Sequence, residues 1–413
     1  MAWRWTALQP AGTAPAPRAG FASAVIDGSL FVAGGWDGQT AFEDAFALDL
    51  ASLRWRTLSL RGEATFARRI MFGHAAAEDG RHLYVHGGTD PQNLNTIRGD
   101  LFAFDVIRGT LKNIPLSGDG PPALSRHSVA AMQGSLWVFG GWDGRAKLDG
   151  AYRLRLTGSE TNEDRRPSAA RWERLLPSGF VPYPRSDACL LPTPRLWWPN
   201  LLLFGGGDGD FDFGDLYVLH TETGYWQRLH NVSSDSPGLS QAGCALLGTP
   251  LGASAVLAVH GGYGGPAERP KDSKRQDALR LLTLGSRQPQ SVELLPLTPW
   301  ASPRAVRAPA LARMGHAVHA VNESCLLVFG GNGEREEGFG ARYLNDVALA
   351  VPNRLHARGA KDESPTDPPT DDDDLPHSEE VIRTVRIADR HKRRRRKKKS
   401  SRAPRRNELK EEL

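Results

Sequence analysis

The chain has 413 residues, among them 44 Gly, 29 Pro and three Cys, with 52 Lys+Arg against 47 Asp+Glu for a formal net charge of +5. No run reaches the roughly 18 apolar residues of a membrane-crossing helix, and the N-terminus, MAWRWTALQPAG, lacks the apolar core of about 7–15 residues behind a basic start that marks a secretory leader. Residues 354–413 hold 18 Lys+Arg and 13 Asp+Glu, the whole of the +5, and residues 1–353 hold 34 of each sign, so any argument for an anionic partner belongs to the tail alone.

Taken in chain order, six apolar runs end in a glycine pair: Gly34-Gly35, Gly87-Gly88, Gly140-Gly141, Gly205-Gly206, Gly261-Gly262 and Gly330-Gly331. They lie 53, 53, 65, 56 and 69 residues apart, an internal period that fixes the architecture before any smaller motif. The first unit reads FASAVI (21–26), a turn at Asp27-Gly28, LFVAGG (30–35), a polar loop, DAFALDL (44–50), a short turn and RWRTL (54–58). That is four strands with hairpin punctuation.

The second strand of each unit is apolar on both faces, as in LYVHGG (83–88) and LLLFGG (201–206), the pattern of a strand packed between neighbouring sheets. The third alternates, as in Phe46/Leu48/Leu50 and Leu216/Val218, and is expected to be half buried. The fourth starts near Trp55, Trp172 or Trp226, whereas the second and fifth units offer Leu111–Ile114 and Val292–Leu295. In the third unit the polar stretch TGSETNEDRRPSAA (157–170) reads as a flexible excursion. The sixth unit has no fourth strand after Asn345–Val351, but Trp5-Thr6-Ala7-Leu8 repeats the pattern of Trp55-Arg56-Thr57-Leu58. Residues 3–8 are therefore expected to complete it, which also removes two open sheet edges.

The glycine pair, the D-x-[YF] or D-x-[AL] opening of the third strand and the later Trp recur as a set over residues 3–351, and in this the chain resembles the kelch-repeat family. The resemblance implies an all-β, six-bladed kelch-type β-propeller over residues 1–353, closed by the N-terminal strand. An acidic disordered linker (354–377) and a basic tail with a short helix (378–413) are expected to follow. It also implies a non-enzymatic scaffold or adaptor that binds a protein or peptide ligand on its loop face. A substrate-recognition subunit of a cullin-type ubiquitin ligase is the alternative the family suggests, although no BTB, F-box or cullin-box segment is seen. A copper-dependent oxidase is a second.

Copper needs gathered His, Tyr and Cys ligands, but the twelve histidines are scattered, and His74, His127 and His316 open first strands, where a structural role is expected. No G-x-S-x-G, H-E-x-x-H or P-loop pattern occurs, and no cofactor or metal is expected. Asp208, Asp210 and Asp212 have D-x-D-x-D spacing, but Phe213 and Leu219 stand where a calcium loop wants Gly and Glu. Cys189, Cys244 and Cys325 sit in apolar runs without ligand spacing and are expected to be buried reduced thiols, as in a reducing compartment.

What remains is a surface of loops held by a rigid scaffold. Trp36-Asp37-Gly38 and Trp142-Asp143-Gly144 follow the first and third glycine pairs. Exposed aromatics beside charges suit a protein or peptide ligand, while turn-building Asp-Gly and packed Trp is the competing reading. Arg18, Arg69, Arg126, Arg185 and Arg313 precede the first strands. In the family such positions face the central mouth, where they could grip a carboxylate, against which stands hydrogen bonding between blades.

In the tail, Ser378 suits an N-cap for a short helix that runs into Lys392, Arg393, Arg394, Arg395, Arg396, Lys397, Lys398 and Lys399. Eight consecutive cations point to a nuclear import signal read by importin, or to RNA or DNA phosphate or an anionic membrane surface. The expected location is nuclear, cytoplasmic or both.

Overall fold

In a computed structural model, the described residues are 3–62, 66–157, 169–193, 200–229, 238–248, 254–265, 274–285, 293–294, 312–323, 325–334 and 341–352. The linker, the tail and most of the 157–170 excursion lie outside them. The described chain is all-β, and its main sheets are the six blades of a propeller. Blade 1 is Ala22–Ile26, Ser29–Ala33, Ala45–Asp49 and Arg54–Leu58, each antiparallel to the next. Blades 2 to 5 repeat this order from innermost strands Gly73–Ala76, Ser128–Met132, Cys189–Pro192 and Gly243–Gly248. In blade 6, Ala317–Asn322, Cys325–Glu334 and Ala341–Pro352 are completed from the other end of the chain: Trp3–Leu8 pairs with the third strand, Trp5 opposite Ala350. The expected ring closure is present, with Trp3 buried between blades 5 and 6 beside Ala258 and Leu326.

The second strands are buried on both faces because each is sandwiched: Leu30, Val32 and Leu48 pack toward blade 6, Phe31, Ala33 and Ala47 toward blade 2. Trp55, Trp172 and Trp226 are buried in their blades, and Leu111 takes that place in blade 2. One element goes beyond the four expected strands. The connection entering a blade lays a short parallel segment along its outer strand: Ala11–Gly12 beside Arg54–Trp55, Leu116–Gly118 beside Ala170–Trp172, Ser178–Gly179 beside Tyr225–Trp226, and a bridge from Arg61 to Thr110. These clips cover outer edges that would otherwise present unpaired amides.

The glycine pairs follow the end of the second strand in blades 1 to 5 and sit at a register shift within it in blade 6. Gly205 and Gly206 have φ of 68° and 86°, and a Cβ on Gly206 would stand 2.6 Å from the Ser186 carbonyl oxygen. Only glycine meets both conditions. All six pairs share the positive φ, so the loops after them and the segments entering the innermost strands pack tightly together on one face.

Candidate functional site: the mouth of the central channel

On that face, Arg18, Arg69, Arg185 and Arg313 are fully buried. Each guanidinium makes a two-pronged pair with an Asp that immediately precedes the third strand of its own blade, or in blade 6 lies within it: Asp44 at 2.5 Å, Asp100 at 2.6 Å, Asp215 at 2.5 Å and Asp346 at 2.8 Å. A further bond goes to the carbonyl of the first glycine of the pair, Gly34, Gly87, Gly205 or Gly330. Rings of Phe42 and Phe213 lie 4.1 Å from the Arg18 and Arg185 guanidinium carbons. Burial works to raise the Asp100 carboxyl, yet the Arg69 hydrogen bonds and charge hold it below its ordinary value. Buried and saturated in this way, the four arginines fasten the entering segment to the glycine turn and stand out of reach of a ligand.

Arg126 is different. Antiparallel bridges set the common register, since Ala19, Ile70, Ser125, Ser186 and Ser240 each face the residue after a glycine pair. The residues just before them are Arg18, Arg69, Leu124, Arg185 and Leu239, so blades 3 and 5 place a buried leucine where the others place arginine. The amide of the first glycine donates to the carbonyl of Asp44, Asp100, Gly150, Asp215 and Ala278 in blades 1 to 5. Where the arginine is lost, its aspartate is lost with it. Arg126 lies two residues past Leu124, in a separate tier.

That tier is Gly20, Met71, Arg126, Asp187, Gln241 and Gly315, all with φ between 54° and 61°. Amide N–H groups donate to neighbouring carbonyls around the channel: Arg126 to Met71 (2.7 Å), Asp187 to Arg126 (2.8 Å), Gln241 to Asp187 (3.0 Å), Gly315 to Gln241 (3.0 Å) and Gly20 to Gly315 (2.9 Å). The left-handed backbone suits glycine and costs other residues about 1–2 kcal/mol each, and two positions are glycine. The other four carry side chains that line a cavity of about 380 Å3 at the mouth, together with Trp36 and Tyr343. Arg126 donates to the Asp187 carboxylate at 3.1 Å with its side chain one-third exposed. The Trp36 indole N–H bonds the Tyr343 hydroxyl.

Trp36 and Trp142 are half-buried, bridged to Ala19 and Ser125. Only Trp36 is among the residues lining the mouth. Asp37 accepts from the amides of Gln39 and Thr40, Asp143 from those of Arg145 and Ala146, and Asp208 from those of Asp210 and Phe211. These carboxylates build the loop turns. The Ala146 amide is the main cause that draws the Asp143 carboxyl below its ordinary value. Met71, Asp187 and Gln241 were not legible as site residues, because nothing but a common register with Arg126 unites them.

Below the mouth the innermost strands line a channel of about 440 Å3. Cys189 and Cys244, expected as reduced thiols, are joined there in a disulfide between the innermost strands of blades 4 and 5, with Cα atoms 6.2 Å apart. Ring geometry brings together residues separated by 55 positions, a proximity that spacing does not reveal. Cys325 is free and buried, its thiol pushed up to about 12 by burial. His127 and His316 meet the preceding blades through ring-to-ring hydrogen bonds, His86 Nδ1 to His127 Nε2 and His260 Nδ1 to His316 Nε2, both 2.9 Å. Among the described residues no three His, Cys, Asp or Glu side chains gather as a metal cluster.

A propeller of four-stranded blades, each with a glycine-pair turn, is the kelch architecture. The KLHDC2/KLHL20/DRC7 Kelch-repeats domain model matches residues 1–98 and 69–262, and the chain belongs to the kelch-repeat family. It is similar to Kelch domain-containing protein 2 of Mus musculus, 27% identical over 238 residues, covering 50% of this chain and 55% of the mouse protein. It is also similar to Acyl-CoA-binding domain-containing protein 4 of Arabidopsis thaliana, 28% identical over 235 residues, 54% of this chain and 32% of the plant protein. A third relative is the Leucine-zipper-like transcriptional regulator 1 homolog of Drosophila melanogaster, 25% identical over 207 residues, 49% of this chain and 20% of the fly protein. The matches thus span from about a fifth to about half of these relatives' lengths.

Proposed function

We propose that the protein is a non-enzymatic interaction scaffold whose propeller binds a protein or peptide ligand at the channel mouth. The observation that carries this reading is the tier of Met71, Arg126, Asp187 and Gln241. Glycine at the two equivalent positions, Gly20 and Gly315, shows that the backbone has no need of side chains there, and strained conformers kept at such a cost concentrate at binding sites. The side chains offer a thioether, an accessible cation, its carboxylate partner and an amide, with an aromatic pair at the edge. This is a mixed surface suited to one peptide segment rather than to a uniformly charged one. The test replaces all four by glycine, removing the side chains while relieving the backbone. A random-peptide display library panned on both proteins should yield a binding family on the wild type that is lost on the glycine variant. Families equally retained by the variant would refute the mouth as the site.

For the tail, the run Lys392–Lys399 supports nuclear import or attachment to an anionic surface. Fusing residues 378–413 to a cytosolic reporter should carry it into nuclei. A reporter that stays cytosolic removes the import reading.

A further inference from the structure

The wall of the central channel is mostly Ala, Val and Leu, and a covalent bond between blades crosses it, Cys189–Cys244. Other junctions are tied without one. His127 and His316 each reach a histidine of the preceding blade. Ser23 meets His319 across blades 1 and 6. Blades 3 and 4 are joined by the Arg126–Asp187 pair and by the Ser128 hydroxyl, which donates to the Ala188 carbonyl at 2.8 Å. In blade 5 the small Ala242 stands one residue past the mouth tier, where blades 3 and 6 place His127 and His316, and the disulfide takes over as the tie. Its two ends lie directly below the mouth. Cys189 follows Asp187 by two residues and Cys244 follows Gln241 by three, and the Gln241 amide donates to the Asp187 carbonyl at 3.0 Å. Ala188 and Ala242, the residues in between, line the mouth cavity and the channel alike. Both bridged cysteines are half-buried on that wall, whereas Cys325 is buried.

We propose that the Cys189–Cys244 disulfide is a redox latch on the mouth: closed, it fixes the Asp187–Gln241 edge of the site, and opened by a small thiol of the glutathione class it lets that edge loosen. The thiolate of one reductant molecule attacks one sulfur of the bond. The S–S bond breaks as a mixed disulfide forms, and the other cysteine leaves as a thiolate that takes up a proton. A second reductant thiolate then attacks the reductant's sulfur in the mixed disulfide and releases the first cysteine. One protein disulfide and two reductant thiols become two protein thiols and one reductant disulfide, with two electrons passing to the protein. Such attack needs a sulfur within reach of solvent, which the half-buried pair on a cavity wall offers and buried Cys325 does not. The effect on the mouth follows from how close the bond lies to it. A site whose parts are already in place binds more tightly, because less ordering is left to the binding step. Asp187 is also the carboxylate partner of Arg126, so freeing this edge loosens the accessible cation as well.

The consequence for binding rests on the peptide reading above, whereas the latch itself does not, and the two are tested separately on the full chain. Reduced and oxidised glutathione should open and close the bond reversibly, read by alkylation of Cys189 and Cys244 and mass spectrometry, with the β-sheet circular dichroism unchanged. In the reduced form the Gln241 amide should exchange with deuterium about tenfold faster. The Arg126 amide, bonded to the Met71 carbonyl two junctions away, should keep its rate. A synthetic peptide from the family selected by display on the oxidised wild type should bind the reduced form about tenfold more weakly. Cys189→Ala/Cys244→Ala should match the reduced form and ignore glutathione. A bond that stays closed in excess reduced glutathione, or a Gln241 amide that exchanges equally in both forms, overturns the latch. A peptide that is lost on the glycine variant of the mouth yet binds both redox forms equally overturns its control of binding. If display yields no family, the peptide reading fails, and the exchange comparison, which needs neither peptide nor variant, still decides the latch.

Discussion

Two tiers of residues lie two positions apart on the same face, and they use the same chemistry in opposite ways. In the outer tier Arg185 is fully buried, with Asp215 and the Gly205 carbonyl taking its guanidinium donors. In the inner tier Arg126 also pairs with an aspartate, Asp187, but across a blade junction and with a third of its side chain open to the channel mouth. Residue type and pairing alone do not distinguish a tie from a contact. What does is whether the surroundings take up every donor and whether the backbone is relaxed or held left-handed. The outer tier, with the histidine junctions and the disulfide, holds the ring; the inner tier spends conformational energy to display side chains.

The comparison breaks most visibly in acid. His86, His127, His260 and His316 are buried in the ties, and burial, the largest cause in each case, pushes His86 to about 4, His260 to about 3 and the other two well below 6.5. Their folded pKa values are depressed, so the unfolded chain takes up protons first as pH falls below about 6.5. The stability they contribute is full above that value and is lost progressively toward pH 4. Each uncoupled group forfeits about 1.4 kcal/mol per pH unit in that window, so the loss by pH 5.5 is several kcal/mol. Urea unfolding at pH 7.5, 6.5 and 5.5 reads it. His74 and His319, held down to about 4 and about 3 by burial, add to the same dependence, so His86→Phe/His127→Ala, which copies Phe139 and Ala188 at the next junction, should flatten it by about a third. An unchanged slope would show that the histidine pairs are not ties.

Next in size is the outer tier itself. Arg185→Ala leaves Asp215, only 13% exposed, without its partner, which costs about 3–5 kcal/mol. The cost should shrink as the stranded carboxylate gains water, from Arg185 to Arg69 to Arg18, whose aspartates are 13%, 30% and 39% exposed. Arg185→Leu/Asp215→Ala should restore most of the loss, because Leu239 and Ala278 already do this in blade 5. Denaturation midpoints of the single and double variants decide between a tie that is needed for its charge and one that only fills space. Reduction comes third. Opening Cys189–Cys244 frees a loop of 55 residues, worth about 2–4 kcal/mol. A melting temperature unmoved by dithiothreitol would place the blade 4 to blade 5 junction outside the ties.

The same comparison explains what was readable in advance. Strands, turns and ring closure were legible because they depend on local pattern: Gly205-Gly206 after an apolar run, and Trp5-x-x-Leu8 repeating Trp55-x-x-Leu58. Arg126 looked like the other arginines because Leu124-Ser125-Arg126 and Arg185-Ser186-Asp187 align on the arginine as readily as on the strand that follows. The two-residue offset emerges only from the register of Ser125 with Trp142 and Ser186 with Gly207. The disulfide and the parallel clips were hidden for a related reason. Cys189 meets Cys244, and Gly118 meets Trp172, through blade geometry across dozens of residues, where no periodicity operates.

The smallest expected effect is the most discriminating. Met71 and Gly20 occupy equivalent places, with φ of 59° and 61°. Met71→Gly removes a left-handed penalty of about 1–2 kcal/mol and adds about 0.5–1 kcal/mol of unfolded-state freedom, so stability should stay level or rise slightly. Arg126→Gly gives up a part-buried ion pair for the same relief, and because Asp187 is 18% exposed but keeps the Ser186 hydroxyl as a donor, the loss should exceed that of Met71→Gly and stay below that of Arg69→Gly. Both would be measured by urea denaturation beside Arg69→Gly, whose loss should be the largest. If Met71→Gly proved as damaging as Arg69→Gly, the inner tier would be part of what holds the ring. Its strained side chains would then owe their presence to packing and no longer argue for a ligand at the mouth.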